Sequence, residues 1–199
     1  MVNIRPQKLS GNWTKGVALD LHTISSSLIG YDEFGHHVFD TKRSEMGELL
    51  YRLKYKSDKS ALNTIAETAA NFLVDKWKIS NIVAGIIPVP PSRTRTFQPV
   101  IEIARKISSI LKLPLYDDVL EKVKDTPQLK DIYEYEKRLE LLKGVFKLRS
   151  KVLNRKSILI FDDLYRSGAT LNAITDTLRK QGNVIDVYVL TLTRTRSRS

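Results

Sequence analysis

The sequence predicts an α/β protein with a mostly parallel central sheet flanked by helices. Two segments have the order buried strand, loop and amphipathic helix, and a further apolar strand, VIDVYVLTL, follows the second of them. Consecutive units of this kind connect through right-handed crossovers, which makes their strands parallel and covers the sheet with helices in a Rossmann-like arrangement. Ligands of such sheets bind beyond the carboxyl ends of the strands.

The N-terminal part predicts a β-hairpin followed by helices. Val17, Leu19 and Leu21 alternate with polar or small residues, YDEFG supplies turn residues and HHVFDTK returns. The apolar spacing then becomes helical in SEMGELLYRLKY and in SALNTIAETAANFLVDKW. We expect the hairpin to pack on the domain that follows it.

Both strand–loop–helix units have an unusual loop after the strand. In the first unit the apolar run NIVAGII ends at three closely spaced prolines, and helical spacing resumes at Val100. In the second unit, residues 158–161 predict the strand and 162–168 the loop. Because both loops follow parallel strands, we expect Pro88–Thr96 and Asp162–Thr170 to face a common cleft.

The second loop has the residue types of a sugar-phosphate site. A loop that leads into a helix exposes unpaired N–H groups and the positive end of the helix dipole, which favours phosphate. Gly168 lets the backbone come close, Arg166 adds a positive charge, and a serine and a threonine offer hydroxyls. Just upstream, Asp162 and Asp163, here called the acid pair, can accept hydrogen bonds from vicinal hydroxyls or hold magnesium. A phosphate with a diol nearby describes a ribose 5-phosphate.

These motifs resemble a known family. ILIFDDLYRSGAT is similar to the phosphoribosyl pyrophosphate (PRPP) signature of type I phosphoribosyltransferases: an apolar strand, an acidic pair and a Thr/Ser–Gly–x–Thr phosphate loop. More narrowly, the chain resembles the ComF-like branch, because LLYRLKYKSDKSALNTIAETAANFL, IIPVPPSRTRTFQPVIEIARKIS, TPQLKDIYEYEKRLELLKGVFKL and VYVLTLTRT follow in the order of that branch. The similarity covers residues 48–196.

The resemblance implies the type I phosphoribosyltransferase fold and a domain organisation. The predicted parts are an N-terminal hairpin extension over 1–44, a phosphoribosyltransferase-like domain over 45–193 with a small mobile hood over 122–143, and a basic tail over 194–199. The hood would close over the site and provide specificity for the base.

The resemblance also implies a role for each motif residue. Asp162 and Asp163 would meet the ribose hydroxyls, directly or through Mg²⁺, and Arg93, with Arg95 beside it, would neutralise the departing diphosphate. The implied catalytic residues are therefore Asp162, Asp163 and Arg93, and the acid pair also supplies the implied magnesium ligands. The implied substrate-binding residues lie in the two loops: Arg166, Ser167, Gly168, Ala169, Thr170, Pro91, Ser92 and Arg93. For Arg93 and Arg95, a solvated loop is an equal alternative.

The chain departs from the ComF-like pattern in three respects. Arg166 stands where the family has a second small hydroxyl residue, and its side chain either tightens phosphate binding or fills the site. The PPSRTRTF loop is shorter than usual. A cysteine zinc module often precedes this domain in ComF relatives, and the present chain has no cysteine.

The resemblance implies a phosphoribosyltransferase that uses PRPP with Mg²⁺ and transfers or releases the phosphoribosyl group to an unidentified acceptor. An alternative is a non-catalytic module that binds PRPP or a nucleoside monophosphate and serves nucleic-acid processing or DNA uptake. The net charge of +11 and the terminal TRTRSRS favour a polyanionic partner such as nucleic acid, with a solvated surface and a frayed, solvated tail as the equal alternative. A third alternative is a subunit of a larger complex that docks through the edge of its hairpin. The sequence leaves monomer and homodimer open.

Other features of the sequence exclude whole classes of protein. No apolar run is long enough to cross a bilayer, so no membrane span is predicted, and the N-terminus lacks the apolar core of a secretion signal. Without cysteine there is no disulfide and no thiolate metal site, which favours a cytoplasmic location. His22, His36 and His37 are predicted on the hairpin surface, because no partner residue has metal-ligand spacing.

Overall fold

The chain folds around a five-stranded sheet, and the computed structural model describes residues 1–91, 96–126, 132 and 134–196. In chain order the elements are β1 (Gln7–Leu9), β2 (Lys15–Leu21), β3 (Thr23–Tyr31), β4 (His37–Arg43), α1 (Glu45–Tyr55), α2 (Ala61–Asn71), a π-helical turn (Phe72–Lys76), β5 (Ile86–Pro88), α3 (Pro99–Leu111), β6 (Leu120–Lys122), α4 (Tyr135–Leu141), β7 (Phe146–Leu148), β8 (Ile158–Tyr165), α5 (Ala169–Gly182) and β9 (Val187–Arg194).

The central sheet has the strand order β1-β2-β9-β8-β5. Strands β2, β9, β8 and β5 are mutually parallel, and β1 pairs with β2 in the antiparallel sense. Helices cover both faces of this sheet, so the predicted mixed α/β class with a mostly parallel sheet is confirmed.

The core consists of two layers because side chains of a strand alternate between the faces of the sheet. Leu159 and Phe161 of β8 pack with α1, α2 and α3 on one face. Ile158 and Ile160 pack with α5 and the β6–β7 region on the other. All four side chains are completely buried, as expected for a central parallel strand.

The predicted boundary of the second strand was wrong. We expected the strand to end at residue 161 and the acid pair to lie in a loop, but β8 continues to Tyr165. The extension arises because β9 runs equally far, and Asp162 and Tyr165 lie opposite Thr191 and Arg194. The acid pair therefore lies on a paired strand, and the loop that follows is only 166–168.

The predicted N-terminal hairpin was also wrong in its first strand. The apolar residues around Leu19 lie in β2, which pairs in parallel with β9 inside the central sheet. The hairpin instead consists of β3 and β4 and projects with mostly exposed side chains. Alternating apolar residues indicate a strand but not its pairing partner, which explains the error. The division of the chain at residue 44 stays a prediction.

The segment predicted as the hood lies between the two strands of a small antiparallel sheet, β6 and β7. Helix α4 within it contacts α5, where the Asn172 amide Nδ2 donates to the Tyr135 hydroxyl at 2.5 Å. Residues 127–131 and 133 of this segment lie outside the described residues, as do 197–199 of the predicted tail. No helix in the described part of the chain is both long and apolar enough to span a bilayer.

Candidate functional site

The two carboxylates of the acid pair face opposite sides of the sheet, because they are consecutive residues of β8. Asp163 shares the α1 side with Phe161, and its side chain is 12% exposed. Asp162 lines a cavity together with the start of α5. Each acid therefore has a different nearest neighbour, while both also line one larger cavity at the end of the strand.

Asp163 is held by a lysine that the sequence analysis did not identify. Lys54 Nζ lies 2.7 Å from Asp163 Oδ2, and the lysine side chain is 21% exposed. Burial, the largest single cause, lowers the pKa of Lys54, but the attraction and hydrogen bond of Asp163, with smaller contributions from Tyr55 and Asp162, together make the net shift upward. The lysine is therefore charged at neutral pH.

Helix α1 places Lys54 beside the acid pair. The helix is capped at its N-terminus by Ser44, whose hydroxyl accepts from the Gly47 N–H at 3.0 Å. Lys54 stands one helical turn after the fully buried Leu50, on the side of α1 that packs on the sheet. It belongs to the last turn, where the helix dipole favours a positive charge.

Asp162 has a different environment. Its Oδ1 accepts the backbone N–H of Asp163 at 2.8 Å. Burial, with a smaller contribution from the nearby Asp163 carboxylate, raises the pKa of Asp162 to about 8. At neutral pH this carboxyl keeps its proton in most molecules, so it can both donate to and accept from a sugar hydroxyl.

The phosphate loop is shaped by Gly168. Its φ is +79°, which favours glycine, and a Cβ there would lie 2.9 Å from the ring of Tyr165. Gly168 occupies the N-cap position of α5 and brings no side chain to cover the first N–H groups of that helix. The resulting cavity of about 100 Å³ is lined by the loop, by Asp162 and by Arg138 of α4. Arg166 is exposed and lines this cavity without filling it.

A second and larger cavity joins the two loops. It measures about 290 Å³, and its lining includes Lys54, the acid pair and Thr170 on one side and Pro90 and Pro91 on the other. The two strand exits that the sequence analysis expected to face each other thus share one cleft. Ser92, Arg93 and Arg95 of the predicted diphosphate loop lie outside the described residues.

His22 lies beside the site and not on the hairpin surface, contrary to expectation. It follows β2 directly, is half-buried, and its Nδ1 lies 3.1 Å from the Thr193 hydroxyl. Burial is the main cause that lowers the pKa of His22, and the positive charges of Arg43 and Lys54 add to it. The other two histidines are exposed on the hairpin, as predicted.

Three site residues were not predicted from the sequence: Lys54, His22 and Arg138. Lys54 is 109 residues away from Asp163 in the chain, and its helix carries no motif that points to a ligand. His22 became part of the site because β2 belongs to the central sheet. Arg138 belongs to a charged stretch that read equally well as an exposed helix. Only the topology brings these residues together.

The donor set does not fit a magnesium ion bound by the protein alone. Within residues 1–91, 96–126, 132 and 134–196, no three acidic or histidine side chains are grouped closely enough to share an ion. Of the two carboxylates, Asp163 has an ammonium against it, and a proton occupies Asp162 at neutral pH. Magnesium prefers ionised carboxylates and water as ligands.

Comparison with known proteins gives weak similarities. No family model and no curated protein sequence matches the chain. Among solved structures it is similar to UMP synthase of Leishmania donovani (16% identity, TM-score 0.43), covering 85% of this chain and 28% of that one. It is also similar to orotate phosphoribosyltransferase from Aeropyrum pernix (13% identity, TM-score 0.43; 85% and 73% covered).

A third similar structure is a hypoxanthine phosphoribosyltransferase from Staphylococcus aureus, with 14% identity and a TM-score of 0.37 over 69% of this chain and 68% of that one. Likenesses at this level decide no function. The functional proposal therefore rests on the residues of the cleft.

Proposed function

We propose that the protein is a ComF-like phosphoribosyltransferase that binds PRPP in the cleft between the ends of β8 and β5. One observation carries the proposal: a single cavity of about 290 Å³ is lined by the acid pair, by Thr170 in the first turn of α5 and by Pro90 and Pro91 after β5. In PRPP, the sugar diol would face the acid pair, the 5-phosphate would face the start of α5, and the diphosphate at C1 would face the prolines.

In this proposal the helix start and its loop bind the 5-phosphate. The N–H groups at the start of α5, the dipole of that 14-residue helix and the exposed Arg166 all favour an anion. Ser167 and Thr170 add hydroxyl donors. Asp162, as a protonated carboxyl, and Asp163, as a carboxylate, hydrogen-bond the ribose hydroxyls and fix the ring in the cleft.

The reaction breaks the bond between ribose C1 and the diphosphate oxygen, and the electron pair leaves with the diphosphate. A nitrogen of the base or amine acceptor then forms the new bond to C1 with its lone pair and releases its proton to water. The chain contributes positive charge where the diphosphate departs, from Lys54 and from the predicted Pro91–Arg93 segment, and the hood excludes water. Magnesium that accompanies the diphosphate in solution is part of the substrate. The acceptor and the cytoplasmic location stay predictions.

The experiment is calorimetric titration of the full chain with PRPP. We expect Asp163→Asn to weaken binding about 10- to 100-fold, because it removes a charged hydrogen-bond acceptor from the ligand. Asp75→Asn, at an exposed position after α2, is the matched control and should bind as the unchanged protein does. If Asp163→Asn binds PRPP with unchanged affinity while remaining folded, the acid pair does not hold the sugar.

A second candidate is a non-catalytic module that binds PRPP or a nucleoside monophosphate and serves nucleic-acid processing. The net charge of +11 favours it, because a positively charged surface attracts nucleic acid. Measuring pyrophosphate release from PRPP in the presence of each nucleobase separates the two candidates. Release with any base supports the transferase, and binding without release supports the module.

A further inference from the structure

The cleft contains its own cation. Lys54 is the one positively charged side chain within 4 Å of either carboxylate of the acid pair among the residues that the structure describes. Its Nζ is 2.7 Å from Asp163 Oδ2, which is the length of a charge-assisted hydrogen bond. The lysine also lines the proposed PRPP cavity, so the pair belongs to the wall that a ligand would contact.

Neighbouring arginines do not take this position. Arg43 stacks on the ring of Tyr51, with its guanidinium carbon 3.8 Å from the ring centre, and its Nη1 lies 3.4 Å from a Glu48 carboxylate oxygen. Arg166 is exposed and lines the smaller cavity on the other side of Asp162. Among the residues that the structure describes, Lys54 therefore supplies the positive charge beside Asp163.

A lysine in this position competes with a divalent ion. Carboxylates without a counter-ion attract Mg²⁺ together with the phosphate oxygens of a substrate. Here an ammonium already neutralises one of them, and displacing it would leave a poorly hydrated charge in the cleft wall. An ammonium has three N–H donors, so one serves Asp163 and two remain for ligand oxygens.

We propose that Lys54 is the resident cation of the acid pair and binds the phosphoribosyl ligand directly, so that the ligand is held without a divalent ion ligated by the protein. The identity of the ligand rests on the function proposed above. The competition between Lys54 and a metal ion at the acid pair does not rest on that function. It can be tested without any sugar phosphate.

The first experiment measures thermal unfolding with MgCl₂ or EDTA and no other ligand. Lys54→Met frees the Asp163 carboxylate and should gain about 2–4 °C in midpoint with MgCl₂, because metal bound only by the folded state stabilises it. The unchanged protein and Lys54→Arg, which keeps the charge, should not respond. In Lys54→Met/Asp163→Asn the gain should disappear. A gain of that size in the unchanged protein, or none in a folded Lys54→Met, would overturn the proposal.

The second experiment titrates ribose 5-phosphate and PRPP by calorimetry in EDTA and in MgCl₂. Ribose 5-phosphate should bind the unchanged protein equally well in both. Lys54→Met should lose binding at least about tenfold in EDTA and recover most of it in MgCl₂. Lys106→Met, at an exposed position of α3, is the matched control and should behave as the unchanged protein does.

The outcomes separate this proposal from the function it rests on. If neither sugar phosphate binds in either buffer, the phosphoribosyl assignment fails, while the response of Lys54→Met to MgCl₂ still decides the role of the lysine. Ribose 5-phosphate binding that requires MgCl₂ in the unchanged protein contradicts the proposal directly. If Lys54→Met does not fold, the binding of ribose 5-phosphate to the unchanged protein in EDTA and in MgCl₂ is sufficient to decide the proposal.

Discussion

Strands β8 and β5 both end at the cleft, but their ends differ. β8 has eight residues, is paired on both sides, and reaches α5 through the three-residue loop 166–168. β5 has three residues, has one strand neighbour in the sheet, and is separated from α3 by the ten residues 89–98. The end of β8 holds the acid pair in a fixed direction, whereas the end of β5 supplies proline-rich backbone.

The difference between the ends of β8 and β5 gives the cleft two kinds of wall, one fixed by strand pairing and one formed by proline-rich backbone. Backbone pairing of β8 with β9 continues to the pair Tyr165 and Arg194, so the direction of each acidic side chain follows from the pleat. At the end of β5 the Val89 N–H still donates to the Phe161 carbonyl at 2.9 Å, and the rings of Pro88, Pro90 and Pro91 add a restriction of the backbone that needs no hydrogen bond. We expect substitutions at the first wall to cost more than those at the second.

The largest expected effect is that of Gly168→Val. The new side chain would meet Tyr165 at about the 2.9 Å found for its Cβ, at a φ of +79° that branched residues avoid. We expect a loss of about 2–4 kcal/mol in the free energy of unfolding, measured in urea. Pro91→Val, exposed at the other wall, should change it by less than about 0.5 kcal/mol. Equal losses at both positions would remove the distinction between the walls.

Asp162→Asn should be more stable than the unchanged protein at pH 8.5, because the amide needs no buried proton or charge. In the folded protein the pKa of Asp162 is raised from 3.8 to about 8. Between these values the unfolded chain has lost a proton that the folded chain keeps, so stability falls as pH rises. The difference in free energy of unfolding between the variant and the unchanged protein should therefore grow between about pH 4 and pH 8, the pKa values of the unfolded and folded states. An advantage independent of pH would contradict the burial of this carboxyl.

Tyr135→Phe tests whether the predicted hood is fastened to the first wall. The substitution removes the hydroxyl that accepts from Asn172 at 2.5 Å. We expect a loss of about 0.5–1.5 kcal/mol in the free energy of unfolding. Tyr55→Phe, whose residue is 64% exposed on α1, should lose nothing measurable. The same small change in both variants would mean that this hydrogen bond does not secure the hood.

The smallest effect concerns His22, at the end of a third parallel strand. Its pKa is lowered in the fold, so below about pH 6.5 the unfolded chain binds a proton that the folded chain does not. The contribution of neutral His22 to the free energy of unfolding is fully present above that pH and decreases as pH falls. His22→Gln should abolish a decrease of less than about 1 kcal/mol between pH 7.5 and 5.5, measured by urea unfolding. His37→Gln, on the exposed hairpin, should retain it.

Local patterns were sufficient to predict the fold class and the two strand ends that share the cleft, but not the residue at which the second loop begins. The run of four apolar residues before Asp162 and the glycine at 168 express strand burial and backbone conformation, which depend on neighbouring residues. Pairing is not local. The sequence therefore did not reveal that β9 lengthens β8, that β2 enters the sheet, or that Lys54 meets Asp163 across 109 residues.

The outer side of β5 has a consequence for self-association. The Ile86 N–H donates to the Pro114 carbonyl and the Ile86 carbonyl accepts from the Tyr116 N–H, both at 2.9 Å, and Pro88 has no N–H to offer. A foreign strand thus finds no template for cross-β growth there. The β3–β4 hairpin instead exposes apolar side chains: Leu28 and Phe39 are each about half exposed on it. Aggregation at high concentration should therefore start at the hairpin.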